Sequence, residues 1–134
     1  MSIYQSRGVL HYEQSEGFYK LEVRVDPSLA LFYRALIPKA MGVTGQRYHP
    51  HISVVRNEIP SNLELWGSNE GLSVEFDYDT DIKNDTKYWW LNVFSAKLEA
   101  IREELGLQVR SPYTKPLAGF RHTFHITLGN TKSL

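Results

Sequence analysis

Two short runs in this chain each pair an imidazole with a hydroxyl: His51-Ile52-Ser53 and His125-Ile126-Thr127. On a β-strand, residues i and i+2 point to the same face about 6.6 Å apart. Each run therefore presents its His and its Ser or Thr side by side, while the central Ile faces the other way. Two imidazoles, one neutral and one protonated, suit in-line displacement at phosphorus, because one takes the proton of the attacking oxygen and the other protonates the leaving oxygen. Histidine has an unperturbed pKa of about 6.5 and holds both forms near neutral pH. Ser53 and Thr127 can donate hydrogen bonds to the non-bridging phosphoryl oxygens, where negative charge is concentrated. Such chemistry needs no metal and no cofactor, and a bell-shaped pH profile follows from it. Which His is the acid and which the base is not readable from the residues.

Both motifs must be carried by strands, and the surrounding pattern supplies them. Gly17 to Val25 (GFYKLEVRV) reads as a strand from its β-branched and aromatic content and its alternation. Asp26 and Pro27 then form a helix start, with Leu29, Phe32, Tyr33, Leu36 and Ile37 at the spacing of one buried face, and Pro38 and Gly42 as terminators. The first motif, within His51 to Val55, follows. The order then repeats: Lys87 to Phe94 (KYWWLNVF) is strand-like, Ser95 is an N-cap, Leu98, Ile101 and Leu105 mark a helix stripe closed by Gly106, and the second motif lies in Phe124 to Leu128. Leu63 to Trp66 and Leu72 to Tyr78 read as additional strands. The predicted fold is α+β, two similar lobes with mostly antiparallel sheet; two-fold related lobes would bring the motifs together across a cleft.

Composition narrows the function. The 134 residues carry 15 Lys+Arg, 15 Asp+Glu and no Cys, with 42% apolar residues. One domain over 1–134 is the expected size. Without cysteine there is no disulfide framework, no thiolate metal site and no Cys nucleophile. Zero net charge argues against a protein that holds long nucleic acids, which usually carries a positive excess. The charge is divided, however. Asn57 to Thr86 holds eight acids and the single Lys83, whereas Lys39, Arg47 and Arg56 lie near the first motif and Lys115 and Arg121 near the second. This pattern fits a small positive site on a body that repels polyanions, and equally an ordinary solvated acidic region. No run approaches the roughly 18 to 20 apolar residues of a membrane span, and Met1 to His11 lacks the apolar core of a signal peptide. The expectation is a soluble cytoplasmic protein with no obligate protein partner.

The paired His-x-Ser/Thr tripeptides, each following a strand-helix unit, resemble those of the 2H phosphoesterase superfamily, which includes RNA 2′,3′-cyclic phosphodiesterases and RNA 2′-5′ ligase-like proteins. The resemblance covers nearly the whole chain in layout, while at the level of identity it rests on the two tripeptides. It implies a bilobal, pseudo-two-fold α+β fold with helices packed outside and a central groove. His51 and His125 would be the catalytic pair, and Ser53 and Thr127 the phosphate-binding hydroxyls. The HPHIS and FHITLGNTK segments and the short length are also similar to small phage-encoded, anti-CBASS-like members that degrade cyclic oligonucleotide second messengers, which would place the protein in the host cytoplasm. Only Asn130 to Leu134 follow the second motif strand, so the substrate-contacting tail of longer members is nearly absent.

Two substrate kinds fit the chemistry, a nucleotide 2′,3′-cyclic phosphate opened by water and a small cyclic oligonucleotide attacked by its own 2′-hydroxyl. RNA ends are a further partner. Arg47, Arg56, Lys115 and Arg121 are candidates for phosphate contact, although Arg56 reaches the motif face only if its strand ends or bulges. Tyr48 and Phe120, just ahead of the motifs, are candidates to stack on a base. Tyr12, Tyr19 and Trp66 also offer ring surfaces, and of Trp89 and Trp90 one should face the core and the other the groove or solvent. A metal is the rival reading, because His49-x-His51 and His122-x-x-His125 give four imidazoles. Neither motif contains a carboxylate, and in an extended segment His122 and His125 point to opposite faces, so His49 and His122 read better as flanking residues. A non-catalytic nucleotide or RNA-end binder and a ligase-like reverse reaction are the alternatives to hydrolysis.

Overall fold

The computed structural model describes residues 2–110 and 124–131. The chain runs β1 (Ile3–Ser15), β2 (Phe18–Val25), α1 (Pro27–Ala35), β3 (Val43–Thr44), β4 (His51–Val55), β5 (Ser73–Asp79), β6 (Lys83–Asn84), β7 (Tyr88–Phe94), α2 (Ala96–Glu104) and β8 (Phe124–Thr131). Short-range chemistry sets the helix ends. The Asp26 carboxylate accepts from the Ser28 N–H and Pro27 opens α1. The Ser95 hydroxyl accepts from the Leu98 N–H and opens α2. At the far end of α2 Gly106 takes φ 79°, and the Gly106 and Leu107 N–H groups donate back to the Glu103 and Arg102 carbonyls, a Schellman closure that needs the left-handed residue.

All strands join one antiparallel sheet in the order β3-β8-β4-β2-β1-β5-β7-β6, and β7 also pairs with β8. Pairing therefore runs in a closed circuit through β8, β4, β2, β1, β5 and β7. The two halves repeat each other: β2 sits between β1 and β4, and β7 between β5 and β8, with a helix leading into the last strand of each set. They join at β4–β8 and again at β1–β5. Gly8, at the step where β1 passes from β5 to β2, faces both Val25 and Val74, and a Cβ there would collide with the Arg24 carbonyl.

One face of this sheet is apolar and packs with the helices into a single core. Val23, Ile52, Ile126 and Leu91 are fully buried, together with Tyr33 of α1 and Leu98 and Ile101 of α2. Each helix reaches the other half: α1 packs on β8, and α2 on β4 as well as on β5 of its own half. No helix among the described residues is long and apolar enough to cross a membrane.

The architecture is α+β and mostly antiparallel, as the alternation of patterns predicts, but hydrogen bonding runs unbroken between the halves instead of dividing them into separate sheets. Two expectations are corrected. Leu63 to Trp66 is a 3-10 turn, Leu63–Leu65, whose backbone bonds locally, the Trp66 N–H donating to the Leu63 carbonyl and the Leu65 N–H to the Asn62 carbonyl. The buried stripe of α1 is Ala30 and Tyr33, continued by Ile37, because small Ala30 allows close approach to the sheet; Phe32 and Leu36 are about three-fifths exposed, at 61% and 60%. The long β1 had no counterpart in the sequence reading.

Candidate active site on the β4–β8 face

Burial alternates along both motif strands. On β4, Ile52 and Val54 are buried while His51 and Ser53 are half-buried; on β8, Phe124, Ile126 and Leu128 are buried while His125 and Thr127 are half-buried. The strands are hydrogen-bonded neighbours with Ile52 opposite Ile126. One step to either side sets His51 opposite Thr127 and Ser53 opposite His125, all four on the face away from the core. Directly opposed Cβ atoms lie about 5 Å apart and diagonal neighbours about 7–8 Å, so the two imidazoles stand on one diagonal of a small square and the hydroxyls on the other. The two tripeptides, far apart in sequence, are brought into one patch.

The register extends the patch to four strands. Arg24 of β2 faces His51, and Trp90 of β7 faces Thr127. Glu22 faces Ser53, and Asn92 faces His125. One row therefore reads Arg24, His51, Thr127, Trp90, and the next Glu22, Ser53, His125, Asn92. The register is straight across these rows, and its shifts, between Leu21 and Glu22 and between Trp89 and Trp90, fall just outside them. Trp89 packs in the core and Trp90 lies on the patch face.

His51 is held by its Nδ1, which lies 2.8 Å from the His49 carbonyl oxygen. That oxygen only accepts, so Nδ1 carries the proton and Nε2 is left for substrate. Nε2 is 3.9 Å from Glu22 Oε2. Glu22 is 4% exposed and also contacts Arg24 Nε at 3.2 Å and Lys20 Nζ at 3.4 Å. Burial pushes the Glu22 carboxyl up, and His51, Arg24 and Lys20 together more than reverse this, leaving it below the ordinary carboxylate value. On the other flank Trp90 Nε1 donates to Asn92 Oδ1 at 2.9 Å. Asn92 is fully buried, and its Nδ2 finds no hydrogen-bond partner among the described residues.

His49 donates its Nε2–H to the Val25 carbonyl at 2.9 Å, beside the Val25 N–H bond to the Pro50 carbonyl, and so fastens the approach to β4 to the end of β2. His122 lies outside the described residues. Among the described residues no three of His, Cys, Asp or Glu are grouped to hold a metal ion. Tyr48 is 72% exposed and shares a cavity of about 190 Å³ with Thr127. Arg47 is exposed in the same loop. Arg56 is exposed one residue beyond the end of β4, after the bulge that turns Val54 and Val55 both inward, and is not part of the patch. Lys115, Phe120 and Arg121 lie outside the described residues. Tyr12 and Tyr19 pack edge-on against Trp66, at 4.9 and 5.2 Å between centroids, and serve the structure.

Sequence reasoning missed Glu22, Arg24 and Asn92, and it left open which of Trp89 and Trp90 faces the groove; that residue is Trp90. Two signals pointed to them: the charged alternation of Lys20, Glu22 and Arg24 between buried Leu21, Val23 and Val25, and a lone amide in the otherwise apolar YWWLNVF strand. No family model, no curated protein and no solved structure matches this chain.

Proposed function

We propose that this chain is a metal-independent phosphodiesterase of the 2H phosphoesterase type, hydrolysing a nucleotide 2′,3′-cyclic phosphate or a small cyclic oligonucleotide. The observation that carries the reading is the β4–β8 pairing, which puts two imidazoles and two hydroxyls on one face with each imidazole opposite a hydroxyl. A phosphoryl group seated over that square has a nitrogen base on one side, a nitrogen acid on the other, and Ser53 and Thr127 donating to its non-bridging oxygens.

In this mechanism His51 acts through Nε2, since Nδ1 is committed to the His49 carbonyl. A proton on that Nε2 has the Glu22 carboxylate as ion-pair partner at 3.9 Å, which fits His51 as the general acid and leaves His125 as the base. His125 takes the proton of the attacking water, or of the 2′-hydroxyl where the substrate attacks itself. The new P–O bond forms as the bond to the leaving oxygen breaks, and His51 Nε2 delivers its proton to that oxygen. The Asn92 amide adds a donor beside His125, its own oxygen being held by Trp90.

The test is incubation of the protein with 2′,3′-cyclic mononucleotides, cyclic dinucleotides and cyclic trinucleotides, with products identified by mass spectrometry. Ring-opened nucleotides are expected. Recovery of every substrate intact would overturn the reading and leave a binding protein.

A further inference from the structure

The cavity beside Thr127 has a composition that the phosphate chemistry does not explain. Its walls are the apolar side chains of Pro27, Leu31, Pro50 and Leu128, and its polar groups are Arg34 and Gln46, with Tyr48 at the edge. Leu31 and Tyr48 are both largely exposed, at 53% and 72%. An apolar slot of about 190 Å³ with an exposed ring at its mouth fits a flat aromatic group better than a second phosphate. The cation at its side is prepared for a ligand. Arg34 makes no side-chain hydrogen bond or ion pair among the described residues. Its guanidinium lies where a side chain at position 45 would begin, since a Cβ on Gly45 would overlap Arg34 Nη1 and lie 2.7 Å from its Cζ. Gly45 thus leaves room for the fork against the backbone.

A guanidinium fork donates two parallel hydrogen bonds, and among nucleobase edges the matching pair of neighbouring acceptors is guanine O6 and N7. We infer that this cavity, on the α1 side of β8, is a guanine-binding site, with Arg34 selecting guanine, Gln46 offering its amide and Tyr48 covering the ring.

The experiment is calorimetric titration of the full chain with guanosine, adenosine and cytidine 3′-monophosphates and with inorganic phosphate, for the wild type and for Arg34→Met, Arg34→Lys and Gly45→Ala. Circular dichroism melting confirms that each variant is folded. The wild type should prefer the guanine nucleotide by about ten-fold or more, as one bidentate base contact allows. That ratio should collapse in Arg34→Met, in Arg34→Lys, which keeps the charge but not the fork, and in Gly45→Ala, which displaces the fork. An equal affinity for all three bases, or a guanine preference that survives Arg34→Met, overturns the inference even if phosphodiester turnover is observed. A guanine preference lost with Arg34 upholds it even if no substrate is turned over, because the readout is equilibrium binding.

Discussion

Ile52 and Ile126 are register partners across β4 and β8, and both are fully buried. Their burial turns His51, Ser53, His125 and Thr127 to the opposite face, so the candidate site is held in register by the core beneath it. Ile126→Ala should cost about 2–5 kcal/mol, the loss from truncating a buried side chain at a site that cannot fully collapse. Urea denaturation measures it. A cost below about 1 kcal/mol would mean that the seam is loosely packed.

Glu22 links the stability of the sheet to pH. Its folded carboxyl lies below the ordinary value of 4.5, so its contribution is present above that value and is lost as pH falls through the lower folded one. Melting temperatures of wild type and Glu22→Gln should therefore differ near neutrality and converge in acid. The same variant removes the carboxylate that lies 3.9 Å from His51 Nε2, and kcat should fall about ten-fold or more with the fold retained. An unchanged kcat would contradict the assignment of His51 as acid.

Arg102 supports the first motif from below. It is fully buried, forms a two-pronged ion pair with Glu58 at 2.8 Å for each contact, and donates to the Val54 carbonyl at 2.7 Å and to the Gln108 carbonyl at 2.8 Å. It thereby ties α2 to the end of β4 and to the chain beyond it. Arg102→Met strands the Glu58 carboxylate and the Val54 and Gln108 carbonyls, and should cost about 3–5 kcal/mol in denaturant unfolding. A near-neutral result would show that Glu58 is readily rehydrated.

The legible parts of this molecule were those fixed by local chemistry. Asp26-Pro27, Ser95 and Gly106 marked helix ends because caps act over three or four residues, and the two tripeptides announced their own alternation. β1 escaped notice because its inward side includes Ser6 and Gly8, a weak apolar signal, and because it divides its pairing between β2 and β5. The face of α1 was misjudged since Phe32 and Leu36 are as apolar as the residues that pack; contact with β8 decides the rotation. Glu22 and Asn92 owe their place beside the histidines to cross-strand register, which no local pattern records.

Chelation separates the two-histidine account from its metal rival. Protein dialysed against EDTA should keep its turnover undiminished, because the acid, the base and the phosphate-binding hydroxyls are all side chains of this protein. Loss of activity that zinc restores would point to a centre completed by residues outside the patch described.

The central claim is that His51 and His125 act on a single phosphoryl group, and turnover by His51→Ala, His125→Ala and the double variant tests it most directly. Each single variant should lose about 10²–10⁴-fold in kcat with its melting temperature nearly unchanged, and the double variant should be little worse than the poorer single one, because acid and base serve the same transition state. Full activity in either single variant would contradict the claim.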